Sequence, residues 1–358
     1  MRRPVAIVGF GQTPAVRSDE RNEVELVMEA TSKALADANA SVKQMGFICS
    51  GSCDFIVGLP FSFVVALDAV GAWPPVSESH VEMDGAWALA EAVTRLQHDD
   101  TDAALVYGFG KSSLAPLRDV LCLQLDPYTM APLWPDSVSL AALQAKACLD
   151  AGTVTEQQMA EVVARSRRAA LNNPHAQLSG SLSVDELLAE PMFSAPLRKH
   201  DLPPISDAGC AVVLAAGDAA YEFSERPAWI TGLDHRIEAH QLGLRDLTTS
   251  VSTRLAGQHA GVADGPVDVA ELYGTFSHQE VMIANALGLD PSTTVINPSG
   301  GPLAAHAIMS AGLTRFGEAA ARITRGEAQR VVAHATSGPL LQQNLVGVMS
   351  AARPEGSK

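Results

Sequence analysis

Short apolar runs that alternate with amphipathic helical stretches constrain the fold of this chain more than any other feature of its sequence. Runs rich in Val, Ile and Ala at 4–9, 103–107 and 211–216 have the length and composition of buried strands. The apolar residues at 23–38 and 83–96 instead recur at helical spacing. Because parallel strands need crossover connections, usually helices, this alternation predicts an α/β fold with a mainly parallel sheet covered by helices.

The second half of the chain repeats this order. Its predicted strands lie at 228–232, 269–273, 330–334 and 346–349, and its predicted helices at 280–287 and 302–323. The strand–loop–helix–strand order of residues 76–110 resembles that of residues 295–334. Since 358 residues exceed the roughly 250–300 that one hydrophobic core supports, we expect two similar halves.

Residues 116–204 interrupt the pattern. The stretch at 116–135 combines Pro, Tyr, Trp and Asp, two helical stretches follow at 137–151 and 156–172, and several prolines precede the next strand. Long irregular segments in compact enzymes are often functional, so we interpret this insertion as a loop domain that covers substrate. The predicted domains are an N-terminal half at 1–115 with 205–225, an insertion at 116–204 and a C-terminal half at 226–358.

Charge and composition exclude several classes of protein. The 40 acidic residues outnumber the 25 basic ones, and no Lys/Arg run is present, which disfavours nucleic-acid binding. No apolar run reaches about 18 residues, so we expect no membrane span, and the run at 5–8 stops without a cleavage-site pattern. Five scattered cysteines favour reduced thiols in the cytoplasm.

Cys49 and Cys53 are four residues apart and are the first candidates for metal ligands. These two cysteines have neither a second pair nor a histidine at ligand spacing, so we interpret them as structural thiols and expect no metal. A Gly-x-Ser-x-Gly motif is also absent, which disfavours a serine hydrolase of that type.

Three segments of the C-terminal half place polar side chains beside glycines at predicted strand or helix boundaries, where α/β proteins gather catalytic groups. Residues 271–276 read Glu-Leu-Tyr-Gly-Thr-Phe, and residues 334–339 read His-Ala-Thr-Ser-Gly-Pro. Residues 297–306 run from Asn-Pro-Ser-Gly-Gly to a histidine, and the paired glycines are predicted to begin a long helix. A core tyrosine, a glycine-rich helix entry and a strand-end loop are the structural alternatives for the three segments.

On these segments the chain resembles the thiolase superfamily, specifically its branch of sterol-carrier-protein-X thiolases and bacterial lipid-transfer proteins. The resemblance covers nearly the whole chain and is most specific at 271–276 and 297–301, while residues 206–211 look like the family's Ser-Asp-Gly-Ala segment. It implies a five-layered αβαβα thiolase fold built from two similar halves, a homodimer, and acyl-CoA ligands. Coenzyme A would enter as part of the thioester substrate, with no covalently bound cofactor.

The departures from the family define the expected chemistry. Thiolases begin the buried helix of the first half with a nucleophilic cysteine in a Cys-x-x-Gly context, and here Glu82 stands at that position. The second thiolase cysteine is also absent, and residues 334–338 take its place. A carboxylate would form a mixed anhydride far more reactive than a thioester, so ordinary thiolysis is disfavoured. A retro-aldol cleavage of a β-hydroxyacyl-CoA needs no acyl-enzyme and therefore fits better.

Such a cleavage needs a base and an oxyanion hole. We predict Tyr273 as the base or acid, with a phenol pKa lowered from about 10 by a neighbouring cation or N–H donors. Candidates for tuning it are His278, His306 and His334, and His306 would polarise the thioester carbonyl together with N–H groups of the glycine pair. The predicted catalytic residues are Tyr273, His306 and His334. The predicted substrate-binding residues are Glu82, Asp84, His278, Asn297, Gly300, Gly301, Ser337 and Gly338.

The resemblance also bears on partners. Thiolase-like proteins with a tyrosine at this position include bacterial aldolases that shorten steroid side chains in complex with a small OB-fold protein, so the resemblance implies such a heteromeric complex here. Two other functions stay open. One is an acyltransferase that uses one of the five remaining cysteines, and the other is a non-catalytic subunit that binds acyl-CoA or lipid.

Overall fold

The computed structural model of the protein describes residues 3–71 and 73–354; Met1, Arg2 and the predicted end of the C-terminal half at 355–358 lie outside them. The strands are β1 Val5–Gln12, β2 Phe47–Gly51, β3 Glu78–Val81, β4 Ala103–Lys111, β5 Met192–Ser194, β6 Leu197–Arg198, β7 Asp207–Ala216, β8 Ala228–Ile237, β9 Val269–Glu271, β10 Val295–Ile296, β11 Arg330–Ser337 and β12 Gln343–Ser350. The α-helices are α1 Glu23–Asp37, α2 Asp54–Val57, α3 Ser62–Val70, α4 Gly85–Gln97, α5 Leu117–Cys122, α6 Ser137–Ala151, α7 Glu156–Ala169, α8 Val184–Ala189, α9 Ala220–Phe223, α10 Val251–His259, α11 Ser277–Leu287 and α12 Ala311–Thr324.

The large sheet consists of two sets of strands with the same topology. The N-terminal half contributes the order β1-β7-β4-β2-β3, and the C-terminal half contributes β8-β12-β11-β9-β10. In each set the first two neighbouring pairs are antiparallel and the other two are parallel. An antiparallel pairing of β1 with β8 joins the two sets into one ten-stranded sheet. The prediction of two similar halves is therefore confirmed.

The sheet is mixed, and the prediction of a mainly parallel sheet was wrong. The fifth strand of each half, β7 or β12, lies between the first and fourth strands and runs antiparallel to both. These strands are buried on both faces, so they read as continuous apolar runs, and such runs carry no information about strand direction.

Helices and sheet halves form five layers. The largest buried cluster contains α4, α12 and one face of both sheet halves, which places these two helices in the central layer. A second cluster packs α1 and α3 on the outer face of the N-terminal half. A third packs α6, α10 and α11 on the outer face of the C-terminal half. The insertion, which interrupts the N-terminal half in sequence, therefore packs its helix α6 on the C-terminal half.

The central helix α12 begins later than predicted. Its first residue is Ala311, and residues 302–310 form turns instead of the predicted helix. The carbonyl of Ala304 accepts the backbone N–H groups of Gln177 and Leu178, and the carbonyl of Leu303 accepts Arg167 Nη1. Because the insertion uses carbonyls that a helix would need internally, this segment stays non-helical.

Candidate active site

A cavity of about 340 Å³ opens at the carboxyl ends of β9 and β11. Most of its wall is apolar, and the insertion contributes a large share of that wall. The apolar side chains from the insertion include Leu117, Leu121, Leu125, Val138, Leu140 and Phe193. The C-terminal half contributes the polar groups of Tyr273, Thr275, Gln279, His306, Thr336 and Ser337. A few polar groups in an apolar cavity are typical of a site for a small organic ligand.

The chemically distinctive pair in this cavity is Tyr273 and His306. The phenol oxygen of Tyr273 lies 2.8 Å from Nε2 of His306, and each residue is only 5% exposed. Tyr273 follows the end of β9, whereas His306 lies in the turns that precede α12. The backbone N–H of His306 donates to Ser206 Oγ at 3.0 Å, which fixes the histidine. The fold thus brings together two residues that the sequence predicted as catalytic.

Both members of the Tyr273–His306 pair are neutral. Burial, assisted by the positive charge of Arg315, lowers the pKa of His306 to about 4. Burial and the negative charge of Asp84 raise the pKa of Tyr273 well above 10, against the opposing effect of the positive charge of Arg315. The expectation that the phenol pKa is lowered is therefore wrong, because desolvation of the phenolate outweighs the nearby cation. The neutral Tyr273 hydroxyl can donate its hydrogen bond to Nε2 of neutral His306.

Asn297 fixes the backbone that carries Tyr273. Its side-chain oxygen accepts the N–H of Leu272 at 2.6 Å, and its side-chain nitrogen donates to the Leu272 carbonyl at 3.1 Å and to Glu280 Oε2 at 2.6 Å. The amide thus continues the pairing of β10 with β9 by one residue. Gly301 has a φ of +64°, and a Cβ there would lie 2.7 Å from the Asn297 amide nitrogen. Asn297 and Gly301 therefore support the site from outside the cavity.

A buried ion pair ties the central helix α12 to both motif segments. Arg315 Nη1 donates to Glu271 Oε2 and to Ser299 Oγ, both at 2.6 Å. Ser299 also donates its N–H to Glu271 Oε1 at 3.0 Å. The Arg315 side chain is 4% exposed and the Glu271 side chain is fully buried. Arg315 was not predicted from the sequence, although a cation on the mostly apolar helix α12 was a signal for it.

Asp84 and Glu82 occupy different environments although they are two residues apart. Asp84 is 2% exposed and lines the cavity with Tyr273 and His306. The side chain of Glu82 is 49% exposed, accepts the N–H of Asp54 at 2.7 Å and lies 3.3 Å from His80. The structure therefore places Asp84 in the cavity wall and leaves Glu82 outside it.

The glycine pair does not supply the N–H groups expected at the thioester carbonyl. The N–H of Gly300 donates to the Asn297 carbonyl at 2.9 Å, and that of Gly301 donates to Ser299 Oγ at 3.2 Å. Both donors are used within the loop, and neither glycine lines the cavity. Ser337 and Gly338, at the end of β11, do line it.

Two further histidines from the prediction lie behind the cavity wall. Nε2 of His334 is 3.0 Å from Asn344 Oδ1, and Nε2 of His278 is 3.2 Å from Gln144 Oε1. Both are fully buried, and burial lowers the pKa of His334 to about 4 and that of His278 to about 3. Neither residue lines the cavity, so the structure does not bring them to the Tyr273–His306 pair.

No cysteine is among the residues that line the cavity within the described ranges. The five thiols are buried, and burial raises the pKa of each. Two thiols contact lining residues without lining the cavity themselves: the sulfur of Cys53 accepts Gln124 Nε2 at 3.3 Å, and the sulfur of Cys122 donates to the Pro135 carbonyl at 3.6 Å. A buried thiol with a raised pKa is a poor nucleophile.

Two further structural features bear on function. Over residues 3–71 and 73–354, no group of three or more His, Cys, Asp or Glu side chains is arranged to hold a metal ion. None of the described helices combines the length and apolar character that crossing a lipid bilayer requires.

Comparison with known proteins identifies the fold. No family model matches the chain. It is 26% identical over 357 residues to an acetyl-CoA acetyltransferase of Methanothermobacter thermautotrophicus, covering 91% of this chain and 92% of that protein. It is 24% identical over 374 residues to sterol carrier protein 2 of Bos taurus, covering 92% of this chain and 67% of that protein.

A solved structure is similar over nearly the full length. The structure described as "Ltp2-ChsH2(DUF35) aldolase" superimposes with a TM-score of 0.79 at 18% sequence identity, covering 97% of this chain and 98% of that one. The sequence relatives and this structural neighbour agree with the resemblance found in the motif segments. The chain is therefore a member of the thiolase superfamily with sterol-carrier-protein-2 thiolase-like relatives, and it has the thiolase fold.

Proposed function

We propose that this protein cleaves the Cα–Cβ bond of a β-hydroxyacyl-CoA by a retro-aldol reaction without forming an acyl-enzyme. One observation carries the proposal. The cavity contains a hydrogen-bonded Tyr273–His306 pair, whereas no cysteine is among its described lining residues. A proton-transfer pair suits a reaction that begins with loss of a hydroxyl proton, and thiolysis would require a thiolate.

The proposed reaction moves one proton through the pair. The β-hydroxyl gives its proton to the Tyr273 oxygen while Tyr273 passes its own proton to Nε2 of His306. The electrons of the Cα–Cβ bond then move towards the thioester carbonyl, which becomes an enolate as the carbonyl product leaves. The enolate takes up a proton at Cα, and the pair returns to its neutral state. Negative charge on the enolate stabilises the transient imidazolium and raises the pKa of His306 during the reaction.

The apolar lining of the cavity favours a substrate with a bulky apolar acyl group. Apolar side chains of the insertion line much of the cavity of about 340 Å³, so the acyl chain would be bound through apolar contact. Coenzyme A would be present as the thioester part of the substrate, and no separate cofactor is part of the proposed reaction. The structural neighbour described as an aldolase favours cleavage, and degradation of a steroid or lipid side chain is the substrate class that we propose.

We also propose a homodimer and an OB-fold partner. Among the described residues the edge strand β3 has a strand neighbour on one side only, and several large apolar side chains between β2 and β3 in the sequence are exposed. Phe55, Phe61, Val64 and Trp73 are between 53% and 86% exposed. The structural neighbour, whose description includes a DUF35 component, supports a heteromeric complex. Light scattering of the purified chain, alone and with its co-purifying protein, tests both assemblies.

The activity test uses a tyrosine variant and a matched control. Purified protein is incubated with β-hydroxyacyl-CoA thioesters of increasing acyl size, with and without its partner, and the carbonyl product and shortened acyl-CoA are quantified. Tyr273→Phe removes only the hydroxyl that relays the proton, so we expect cleavage to fall by about 100-fold or more. Tyr221→Phe changes an exposed tyrosine outside the cavity and should leave cleavage unchanged. Full activity of Tyr273→Phe would refute the assignment of the relay.

The same preparation distinguishes the acyltransferase alternative, which the name of the archaeal relative favours. Transfer through a cysteine would leave an acyl group on the protein, and intact-protein mass spectrometry during turnover would detect it. Alkylation of the cysteines would also abolish activity. Binding of acyl-CoA without any product would instead identify a binding subunit. Cleavage with no acylated protein supports the proposed reaction. Because all five thiols are buried, persistence after alkylation counts only for cysteines whose modification the intact mass confirms.

A further inference from the structure

Asp84 joins the two central helices at the cavity. Its Oδ1 atom accepts the N–H of Ala86 in α4 at 2.8 Å and the N–H of Leu313 in α12 at 2.9 Å. Its Oδ2 atom accepts the N–H of Gly312 in α12, also at 2.9 Å. One carboxylate from the N-terminal half therefore caps a helix in each half.

Helix α12 depends on this carboxylate for its first turn. The side chain of Ser310 at its N-cap position makes no capping hydrogen bond, and the first turn contains no acidic residue. Gly312 makes room for the carboxylate, because a Cβ there would lie 2.5 Å from Asp84 Oδ1. The two helices thus meet closely around a charged side chain that is 2% exposed.

The negative charge of Asp84 lies at two helix N-termini and also beside the cavity that contains Tyr273. The N-terminus of an α-helix carries partial positive charge and stabilises an anion placed there. Two helix N-termini meet at this point, and the resident carboxylate already occupies it. Asp84 also lines the cavity with Tyr273, and its negative charge raises the pKa of that phenol. The other charged or titratable groups to which Asp84 couples are Arg315 on α12 and Cys210 on β7.

We propose that Asp84 is a positioning residue whose carboxylate, held by three backbone N–H groups, favours the protonated state of the Tyr273–His306 pair during turnover. This inference rests on the proposed function. The pair gains a proton when the β-hydroxyl is deprotonated, and a negative charge that lines the same cavity lowers the energy of the protonated pair. The same charge, seated on both helix N-termini, excludes an anionic nucleophile from that position.

The first test replaces the charge and keeps the shape. In Asp84→Asn the side-chain oxygen can still accept the N–H groups of Ala86 and Leu313, but the amide nitrogen cannot accept that of Gly312, so circular dichroism first establishes that the variant is folded. We expect kcat to fall by about tenfold or more with KM little changed, which corresponds to about one pKa unit of proton affinity in the pair. Asp268→Asn is the control, because Asp268 accepts two backbone N–H groups at the opposite end of β9 and β11. Unchanged kcat in Asp84→Asn would overturn the proposal.

The second test returns the charge from solution. Acetate and acetamide have nearly the same shape, but only acetate carries a negative charge. In Asp84→Ala we expect acetate to restore turnover by about tenfold and acetamide to have no effect. Equal rescue by both molecules, or rescue by neither while Asp84→Asn retains its kcat, would show that Asp84 is only a helix cap.

A stability measurement separates this proposal from the proposed function. Acetate should raise the melting temperature of Asp84→Ala more than acetamide does, and neither should stabilise the wild-type protein, whose site is filled. If the wild-type protein cleaves no β-hydroxyacyl-CoA, the proposed function fails. The difference in melting temperature between acetate and acetamide would still show whether the position of the Asp84 carboxylate prefers an anion. If acetate and acetamide shift the melting temperature equally, the charge of Asp84 has no special role and the inference fails.

Discussion

The two halves of the protein share a strand order but differ in the connection between the fourth and fifth strands. In the N-terminal half, residues 112–206 connect β4 to β7 and include the insertion. In the C-terminal half, residues 338–342 connect β11 to β12. Both connections reach the cavity, since Leu121 belongs to the long one and Gly338 to the short one. The same position in a duplicated scaffold thus tolerates very different lengths of chain.

The two connections differ in what the surrounding half contributes to the cavity. The long connection supplies apolar wall, whereas the C-terminal half supplies Tyr273 and His306 together with the buried ion pair that holds their segments. We therefore expect changes in the C-terminal half to affect stability and chemistry, and changes in the insertion to affect mainly substrate binding. The following three predictions test that division.

The largest effect is expected for the buried ion pair of the C-terminal half. Arg315→Met leaves the Glu271 carboxylate without a cation in a fully buried position, which should destabilise the protein by about 3–5 kcal/mol. Arg322→Met on the same helix breaks a partly exposed pair with Glu327 and should cost about 0–1 kcal/mol. Urea unfolding monitored by circular dichroism measures both. Similar losses in the two variants would remove the special role of the buried pair.

An intermediate effect is expected in acid. The three fully or nearly fully buried histidines of the described chain, His278, His306 and His334, all lie in the C-terminal half, and burial lowers the pKa of each to about 3 or 4. The unfolded chain binds protons near pH 6.5 that the folded chain does not bind. Each histidine therefore lowers stability by about 1.4 kcal/mol per pH unit as the pH falls from 6.5 towards 4.

A variant isolates one histidine from the carboxylates that titrate in the same range. His334→Gln should make the dependence of unfolding free energy on pH less steep by about one proton relative to wild type. His98→Gln changes an exposed histidine of the N-terminal half and should leave the slope unchanged. Unfolding free energies between pH 4.5 and 7 provide the comparison. Equal slopes in all three proteins would contradict the concentration of acid sensitivity in the C-terminal half.

The smallest effect is expected in the insertion. Leu121→Ala removes apolar wall from the cavity, so KM for a bulky acyl-CoA should rise by up to about tenfold while kcat changes little. Leu123→Ala alters a leucine that is 57% exposed and outside the cavity, two residues away, and should leave KM unchanged. Steady-state kinetics measure both. A fall in kcat without a change in KM would show that the insertion takes part in the chemistry.

Much of this architecture could be predicted from the sequence, because buried strands and amphipathic helices have strong periodic signals. The strand at 211–216 and the helix at 137–151 correspond to observed elements, and the resemblance identified the fold. The edge strand β3 was predicted only as the first strand of the order at 76–110, without bounds of its own, since its four residues are half-buried and lack an apolar run. The start of the helix after the Gly-Gly turn was also mispredicted, because the carbonyl of Ala304 accepts backbone N–H groups from residues more than 100 positions earlier in the chain.

The site was only partly predictable, for a related reason. Tyr273 and His306 were identified by their motifs, but their protonation depends on burial and on neighbours that only the fold brings close. Asp84 was selected together with Glu82, and local sequence could not show that one faces the cavity and the other faces outward. The capping role of Asp84 on α12 joins residues more than 200 positions apart, which no local pattern indicates.

The pairing of Lys111 with Asp207 has a consequence for how such proteins diversify. These residues are register partners at the ends of β4 and β7, so the insertion leaves and re-enters the scaffold at one point. Register partners in antiparallel strands have Cα atoms only about 5 Å apart. A replacement segment of another length and lining would need to span that gap and to contact the carbonyls of Leu303 and Ala304, which the present insertion binds. Recombination at this junction would then exchange the apolar cavity wall in a single event while the segment that carries His306 keeps its conformation.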